Sequence, residues 1–264
     1  MTPEQHRATV EAWRAARDAR LRDPDGWLTL VGLHWLAPGE NRFGSGVDND
    51  LVVRGADMPE RAGTLILDDG QVLLRRDGRP DEPLAPDVSG EPTMLDLGTL
   101  RMHVIQRGDR FGLRVRNHAS PALPAFRGTD HFPIDPSWRV AGRLEPASAG
   151  TTLEVVDVIG VVTHEPSPGA FVFERDGREW RLQALPGGGQ GSLWLVFADA
   201  TNGRTTYGGG RFLYTDPVAE DGTVVADFNL AYNPPCVFTP FATCPMPPAA
   251  NRLPLAIEAG ERKP

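Results

Sequence analysis

Six polar residues in the last quarter of this 264-residue sequence are its main candidates for binding chemistry. They are Tyr207, Arg211, Asn229, Tyr232, Asn233 and Arg252. A guanidinium group can hold a carboxylate or a phosphate through two parallel hydrogen bonds, and a tyrosine can act as an acid or a base. Gly208–Gly210, directly before Arg211, would let a ligand approach the backbone closely. We therefore predict a pocket for a small anionic molecule, in a binding protein or an enzyme, between the strand at 205–211 and the tail, residues 227–252.

The tail also has a purely structural interpretation. Six prolines lie between residues 234 and 248, and each removes a backbone donor, so neither a regular strand nor a helix can form there. The apolar content of this stretch nevertheless predicts burial, and buried backbone groups need partners. Asn229 and Asn233 could supply them, while Arg211 could pair with Asp199 or Asp227. Under this hypothesis every recognisable motif of the chain is structural.

The two cysteines, Cys236 and Cys244, allow several kinds of chemistry. Their spacing is unlike the Cys-x-x-Cys of zinc ribbons and redox pairs, and the histidines show no metal-binding spacing. We predict no metal site and no cofactor, and we favour two buried thiols that pack as small apolar residues. A nucleophilic Cys236, a metal held with distant histidines and a disulfide are the alternatives.

Lys263 is the only lysine of the chain, which excludes two large classes of chemistry. Neither the Schiff-base lysine of pyridoxal phosphate enzymes nor the lysine of a Walker A loop has a residue to supply it. The formal net charge of −8 argues against binding to nucleic acid or to an anionic membrane. The sequence has no signal-like start and no apolar run of membrane-spanning length, so we expect a soluble, cytoplasmic protein.

Short strands joined by turns should position these residues. Gly (29 residues) and Pro (25 residues) make up about a fifth of the chain and are spread among strand-like runs. Asp68–Gly70 predicts a hairpin turn, and the glycine-rich run at 187–191 predicts a hairpin tip. One helix is predicted over residues 3–21, with a capping box at its start and an apolar face made by Val10, Trp13, Ala16 and Leu21.

Together these patterns predict a mainly β fold, an antiparallel β-sandwich or barrel with an N-terminal α-helix and a proline-rich irregular C-terminal segment. The helix would occupy residues 1–22 and a first β half residues 23–95. A second antiparallel half, residues 96–264, would be closed by the tail. The two halves could still form one folding unit.

Several motifs are similar to those of the bacterial domain-of-unknown-function 1684 family (DUF1684). They include Thr205–Leu213, Asp227–Asn229, Tyr232–Cys236, Phe241–Pro245, Asn251–Pro254 and, upstream, Trp27–Leu36 with Gly39–Asn41. The resemblance extends over almost the whole chain. It implies no particular activity, because the family has none assigned.

A second resemblance concerns residues 39–75, which are similar to the start of a forkhead-associated domain, a β-sandwich that binds phosphothreonine. Phe43–Val53 carries the likeness. Ser45 follows the glycine where that domain has arginine, and Arg61–Thr64 replaces its Ser-x-x-His. The alternative function is therefore a protein-interaction module that binds a protein partner through this half.

Overall fold

The computed structural model of the chain describes residues 1–189 and 191–264, and strands dominate it. Gln190, in the predicted hairpin tip, lies outside the described residues. The helices are α1 (Pro3–Arg22) and α2 (Ala122–Ala125). The strands are β1 (Leu30–Trp35), β2 (Gly39–Gly44), β3 (Leu51–Val52), β4 (Gly63–Asp68), β5 (Gln71–Arg75), β6 (Glu82–Pro83), β7 (Leu95–Leu97), β8 (Leu100–Arg107), β9 (Arg110–Asn117), β10 (Arg139–Pro146), β11 (Thr152–Val156), β12 (Val162–Pro166), β13 (Gly169–Arg175), β14 (Arg178–Pro186), β15 (Leu193–Phe197), β16 (Arg211–Tyr214) and β17 (Thr223–Asp227). The prediction of a mainly β fold is confirmed.

Helix α1 has the cap that the sequence predicts. The backbone N–H of Gln5 donates to Thr2 Oγ1 over 3.2 Å, and the backbone N–H of Thr2 donates to Gln5 Oε1 over 2.8 Å. This capping box satisfies donors that a first helical turn leaves unpaired. The buried face of the helix differs from the prediction, because Ala16 is exposed and Arg17 is buried. Arg17 can be buried because Glu261 lies 3.0 Å from its Nε and neutralises its charge.

The described chain divides into two compact units. The first unit contains Met1–Ala19, Arg127–Val237 and Thr243–Pro264, and the second contains Arg20–Phe126 and Phe238–Ala242. All six predicted site residues and both cysteines belong to the first unit. The predicted division into residues 1–22, 23–95 and 96–264 stays a prediction.

The second unit has two sheets around one core. One sheet has the strand order β1-β9-β8-β7 and the other β3-β2-β4-β5-β6. Met102 of β8 and Val115 of β9 are paired in register and buried, and they contribute to the core cluster. The predicted hairpin turn joins β4 to β5, where Asp69 and Gly70 both have positive φ angles. Such a turn matches the right-handed twist of the strands.

The first unit is built on a six-stranded antiparallel sheet with the order β16-β15-β14-β13-β10-β17, and β11 and β12 form a separate hairpin. Its core contains Phe228 of the tail, whose ring packs against Trp138, Phe173 and Phe197 at centroid distances of 5.6–5.9 Å. This aromatic contact anchors the start of the tail on the sheet. Across residues 1–189 and 191–264, no helix has both the length and the apolar character that a membrane crossing requires.

Candidate functional site

The tail packs against the strand that follows the glycine triplet. The backbone N–H of Phe212 in β16 donates to the Tyr232 carbonyl oxygen over 2.8 Å, and the Tyr232 N–H donates back over 2.9 Å. Gly210 has a φ of +90°, and a Cβ there would overlap Pro247 and lie 2.6 Å from the Phe197 carbonyl oxygen. Glycine is required at this position because both the backbone angle and the close approach exclude a side chain. The contact between strand and tail that the sequence predicts is present.

Arg211 lies inside this packing and is fully buried. Its Nη2 donates to Asp199 Oδ2 over 2.8 Å and to the Ile257 carbonyl oxygen over 2.9 Å. Its Nη1 donates to the carbonyl oxygens of Ala259 and Glu261. Burial lowers the pKa of this guanidinium, while the Asp199 carboxylate acts in the opposite direction. We assign Arg211 a structural role, since its hydrogen bonds hold the segment 257–261 against the sheet.

The Asp199 carboxylate is the natural partner of this arginine, because it is itself wholly buried. It accepts hydrogen bonds from the backbone N–H of Ile257 over 2.9 Å and of Thr201 over 3.0 Å. A buried ion pair is tolerated where further hydrogen bonds satisfy its groups. Here such bonds satisfy the Asp199 carboxylate and both Nη atoms of Arg211, while Arg211 Nε has no partner among the described residues.

The two predicted asparagines also bind the chain itself. Asn229 Oδ1 accepts from the Asp135 N–H over 3.0 Å, and its Nδ2 donates to the Asp135 carbonyl oxygen over 2.8 Å. Asn233 Nδ2 donates to the Arg262 carbonyl oxygen over 2.7 Å, and its backbone N–H donates to Glu261 Oε2 over 2.8 Å. Both asparagines therefore satisfy backbone groups around the tail, as the structural interpretation predicts.

Tyr232 packs against two aromatic residues of β16. Its ring stacks on Tyr214 at 6.3 Å, meets Phe212 edge-on at 5.7 Å and lies under the Arg17 guanidinium at 4.8 Å. Burial raises the pKa of the Tyr232 hydroxyl, so the residue stays neutral at physiological pH. Tyr232 therefore contributes packing and a cation–π contact to the first unit.

Arg252 differs from Arg211 and the two asparagines, because its side chain does not bind other parts of the described chain. Its side chain is exposed, and its guanidinium makes no hydrogen bond or ion pair with any residue in the described part of the chain. It lines a pocket of about 470 Å³ between β11 and the tail. The other walls include Leu153, Val156, Met246, Pro247 and Pro248, together with the carboxylate-bearing Glu154. The backbone N–H of Met246 donates to the Val156 carbonyl oxygen over 2.8 Å, which fixes the tail beside the end of β11.

Tyr207 and the two cysteines form a second cluster. The backbone N–H of Cys236 donates to Cys244 Sγ over 3.2 Å, and the thiol of Cys236 is hydrogen-bonded to Cys244 and to the Tyr207 hydroxyl. The hydrogen bond with Cys244 lowers the pKa of Cys236 to about 7, although burial opposes the shift. Burial raises the pKa of Tyr207 to about 12. Sequence reasoning placed Tyr207 and the cysteines in separate hypotheses, and only the fold brings them together.

Residues 124–262, just over half of the chain, match the model of the family described as Protein of unknown function (DUF1684). The chain belongs to the DUF1684 family. The resemblance to this family is thereby confirmed for residues 124–262, whereas the upstream motifs Trp27–Leu36 and Gly39–Asn41 lie outside the match. The six candidate residues and both cysteines of this DUF1684 protein lie inside the matched range.

One similar solved structure is the solution NMR structure of the uncharacterized protein from gene locus rrnAC0354 of Haloarcula marismortui. It is 30% identical, the match covers 53% of this chain and 78% of the other, and the TM-score is 0.43. No curated protein matches the DUF1684 chain.

Residues 39–75, where the sequence suggested a forkhead-associated resemblance, lie outside the range that the DUF1684 family model matches, and the comparisons do not show that resemblance. The Ser45 hydroxyl donates to the Met58 carbonyl oxygen over 2.9 Å, and Arg61 is exposed. A protein-binding role for this segment stays a prediction. Among the residues that the structure describes, no group of three or more His, Cys, Asp or Glu side chains is placed to hold a metal ion.

Proposed function

We propose that this DUF1684 protein binds a small carboxylic acid with an apolar body in the pocket beside Arg252. One observation carries the proposal: an exposed arginine without a partner among the described residues lies in the wall of a pocket whose other lining residues, apart from Glu154, have apolar side chains. A guanidinium that no described residue occupies can take a carboxylate through two hydrogen bonds.

The choice between the two arginines of the predicted site follows from their hydrogen bonds. Arg211 has a buried carboxylate and three carbonyl oxygens around it, so an anion would have to displace Asp199 to reach it. Displacement would leave a buried carboxylate without its counter-charge, which costs several kcal/mol. Arg252 requires no such exchange. Of the two arginines in the predicted site, we therefore propose Arg252 as the anion anchor.

The walls of the pocket restrict the class of ligand. Its volume of about 470 Å³ lies within the ordinary range for small-molecule sites. Leu153, Val156 and Met246 offer apolar surface, which favours a hydrocarbon or aromatic body over a sugar or an inorganic ion. Glu154 in the same wall repels any anion, and this repulsion grows with the charge of the ligand, so a monocarboxylate is favoured over a phosphate or a dicarboxylate.

Neighbouring residues hold Arg252 in position. Asn251 is fully buried, and its Oδ1 accepts from the Gln183 N–H over 2.7 Å. Its Nδ2 donates to the carbonyl oxygens of Gln183 and Val196, each over 2.9 Å. These bonds fix the backbone directly before Arg252 on strands β14 and β15. A site whose backbone is already ordered loses less entropy when a ligand binds.

Titration with hexanoate and benzoate, followed by isothermal calorimetry and by NMR chemical shifts, tests the proposal. We expect saturable binding of at least one of them and at least about tenfold weaker binding by Arg252→Gln, the usual effect of losing a charge-assisted hydrogen bond. Arg204→Gln is the matched control, because Arg204 is an exposed arginine of the same unit outside the pocket. Inorganic phosphate should bind more weakly than either acid.

Two results would overturn the proposal. Neither acid binding saturably to the wild-type protein would remove the pocket as a carboxylate site. Equal affinities for wild type and Arg252→Gln would show that the arginine is not the anion anchor.

A further inference from the structure

The cluster of Tyr207, Cys236 and Cys244 lies apart from the Arg252 pocket and has its own chemistry. Cys236 and Cys244 are the only cysteines of the chain, and both are thiols in the structure. Their groups are in direct contact, since the Cys236 backbone N–H donates to Cys244 Sγ and the two thiols are hydrogen-bonded to each other. Two thiols that are hydrogen-bonded to each other can form a disulfide, with loss of both hydrogens, if an oxidant reaches one of them.

We propose that Cys236 and Cys244 form a thiol–disulfide exchange pair that a low-molecular-weight disulfide oxidises. This site is independent of the carboxylate pocket proposed above, because none of its three residues lines that pocket. The predicted packing role of the two cysteines does not explain why the Tyr207 hydroxyl is hydrogen-bonded to the Cys236 thiol.

The exposure of the two cysteines differs, and the difference assigns their roles. Cys236 is partly exposed, whereas Cys244 keeps only 3% of its accessible surface. A disulfide from solution can therefore reach Cys236 first, and Cys244 is shielded from it. Cys236 is the attacking sulfur, and Cys244 is the resolving sulfur that lies beside it.

The reaction balances without any group that the protein lacks. The Cys236 thiolate attacks one sulfur of RSSR, a Cys236–SR bond forms, and the other sulfur leaves with the electron pair of the broken bond as RS⁻. The Cys244 thiolate then attacks Cys236 Sγ, which forms the Cys236–Cys244 bond and releases the second RS⁻. The two thiol protons go to the two leaving groups, so the protein is oxidised by two electrons and RSSR is reduced to two RSH.

Tyr207 stabilises the attacking sulfur. Its hydroxyl is hydrogen-bonded to Cys236 Sγ, and a donor on a thiolate favours the ionised form. The lowered pKa of Cys236, about 7, gives an appreciable thiolate fraction at neutral pH.

The surrounding loop fixes the backbone of Tyr207 and leaves space for its ring. The side-chain amide of Asn202 donates to the Tyr207 carbonyl oxygen over 2.5 Å. A Cβ at Gly209 would lie 2.5 Å from the Tyr207 ring, so the glycine makes room for that ring. Within the glycine triplet, Gly209 thus leaves room for the Tyr207 ring, and Gly210 leaves room for the tail.

The test uses glutathione disulfide as the oxidant and the full-length reduced protein. We expect the intact mass to fall by two hydrogens, and the number of thiols that react with N-ethylmaleimide in denaturant to fall from two to none. Peptide mapping should locate the new bond between Cys236 and Cys244. A wild-type protein that keeps both thiols, or that carries one glutathionyl group on each, would overturn the proposal.

Variants separate the roles of the three residues. Cys244→Ala should stop at the mixed disulfide, with one glutathionyl group on Cys236. Tyr207→Phe should slow the attack about twofold at pH 7, if losing the hydroxyl raises the Cys236 pKa by about one unit. The thiolate fraction then falls about fivefold, from about one half to about one tenth, while each thiolate attacks about threefold faster. Above about pH 9, where the thiols of both proteins are ionised, the variant should instead react about threefold faster than the wild type.

Tyr214→Phe is the matched control, because Tyr214 is a tyrosine of the same unit that lies on β16 and stacks on Tyr232. Its rate should equal that of the wild type. A Tyr207→Phe rate equal to wild type at every pH would remove the tyrosine from the mechanism. A Cys244→Ala protein that acquires no glutathionyl group would remove Cys236 as the attacking sulfur.

Discussion

Arg211 and Arg252 come from the same part of the sequence, yet they occupy opposite environments. Arg211 is fully buried and its partners are Asp199 and three backbone carbonyl oxygens. Arg252 is exposed in the wall of a pocket, without a hydrogen-bonding partner among the described residues. A proline-rich tail leaves many backbone groups unpaired, and nearby polar side chains satisfy them first. Only a side chain with unused hydrogen-bonding capacity is available to a ligand.

The largest effect should come from Arg211→Ala. Removing the guanidinium leaves Asp199 buried without its counter-charge, and we expect the free energy of unfolding to fall by about 3–5 kcal/mol in urea titrations. Arg252→Ala should change it by less than about 0.5 kcal/mol, since exposed residues away from the core contribute little. Equal free energies of unfolding for the two variants would show that the two arginines do not differ in their contribution to stability.

The next largest effect should come from the glycine triplet. Gly210→Ala would place a methyl group against Pro247 and the Phe197 carbonyl at a φ of +90°, and we expect a loss of about 1–3 kcal/mol. Gly208→Ala is the control, because a Cβ there would have no neighbour closer than 3.8 Å. That variant should be neutral or slightly more stable, as the unfolded chain loses entropy. The melting temperatures of the two variants test this prediction. A Gly210→Ala protein as stable as the wild type would show that the tail does not pack closely against Gly210.

Local features of the fold could be predicted from the sequence. The capping box of Thr2 and Gln5 and the turn at Asp69 and Gly70 depend on residues within a few positions of each other. Gly39–Asn41 has residue types that are typical of a turn, but it forms the start of β2. The side chain of Asn41 makes the turn-like bonds to Ala37, while its backbone pairs with Leu65 of β4. Residue type indicated a turn, and the strand pairing was not visible locally.

The candidate site was predicted only in part, because its outcome depends on distant partners. Arg17 meets Glu261 across 244 positions, and no local pattern indicates which carboxylate a buried arginine will find. The same holds for Tyr207 and Cys236, which lie on separate loops. The sequence identified the segments that contain the site, whereas the fold decides which of their polar groups remain available.

The smallest effect should appear in the pH dependence of stability. Burial lowers the pKa of His131 to about 4, and its Nε2 is hydrogen-bonded to the Thr129 hydroxyl over 2.8 Å. In the unfolded chain a histidine titrates near 6.5, so between about pH 4 and 6.5 the unfolded state binds more protons than the folded state. Stability contributed by neutral His131 is therefore complete above about pH 6.5 and is lost as the pH falls toward 4.

Because the His131 side chain is only partly buried, we expect the loss to be about 1–2 kcal/mol, less than the full pKa difference would give. His131→Gln should flatten this part of the curve of unfolding free energy against pH. His164→Gln is the matched control, since His164 is exposed on β12, beside Glu154 of the pocket wall. Urea titrations at pH 4.5, 5.5 and 7 separate the cases. A slope that persists unchanged in His131→Gln would assign the titration to another group, such as His103, whose pKa burial also lowers to about 4. A slope that disappears in His164→Gln would assign it to the exposed histidine.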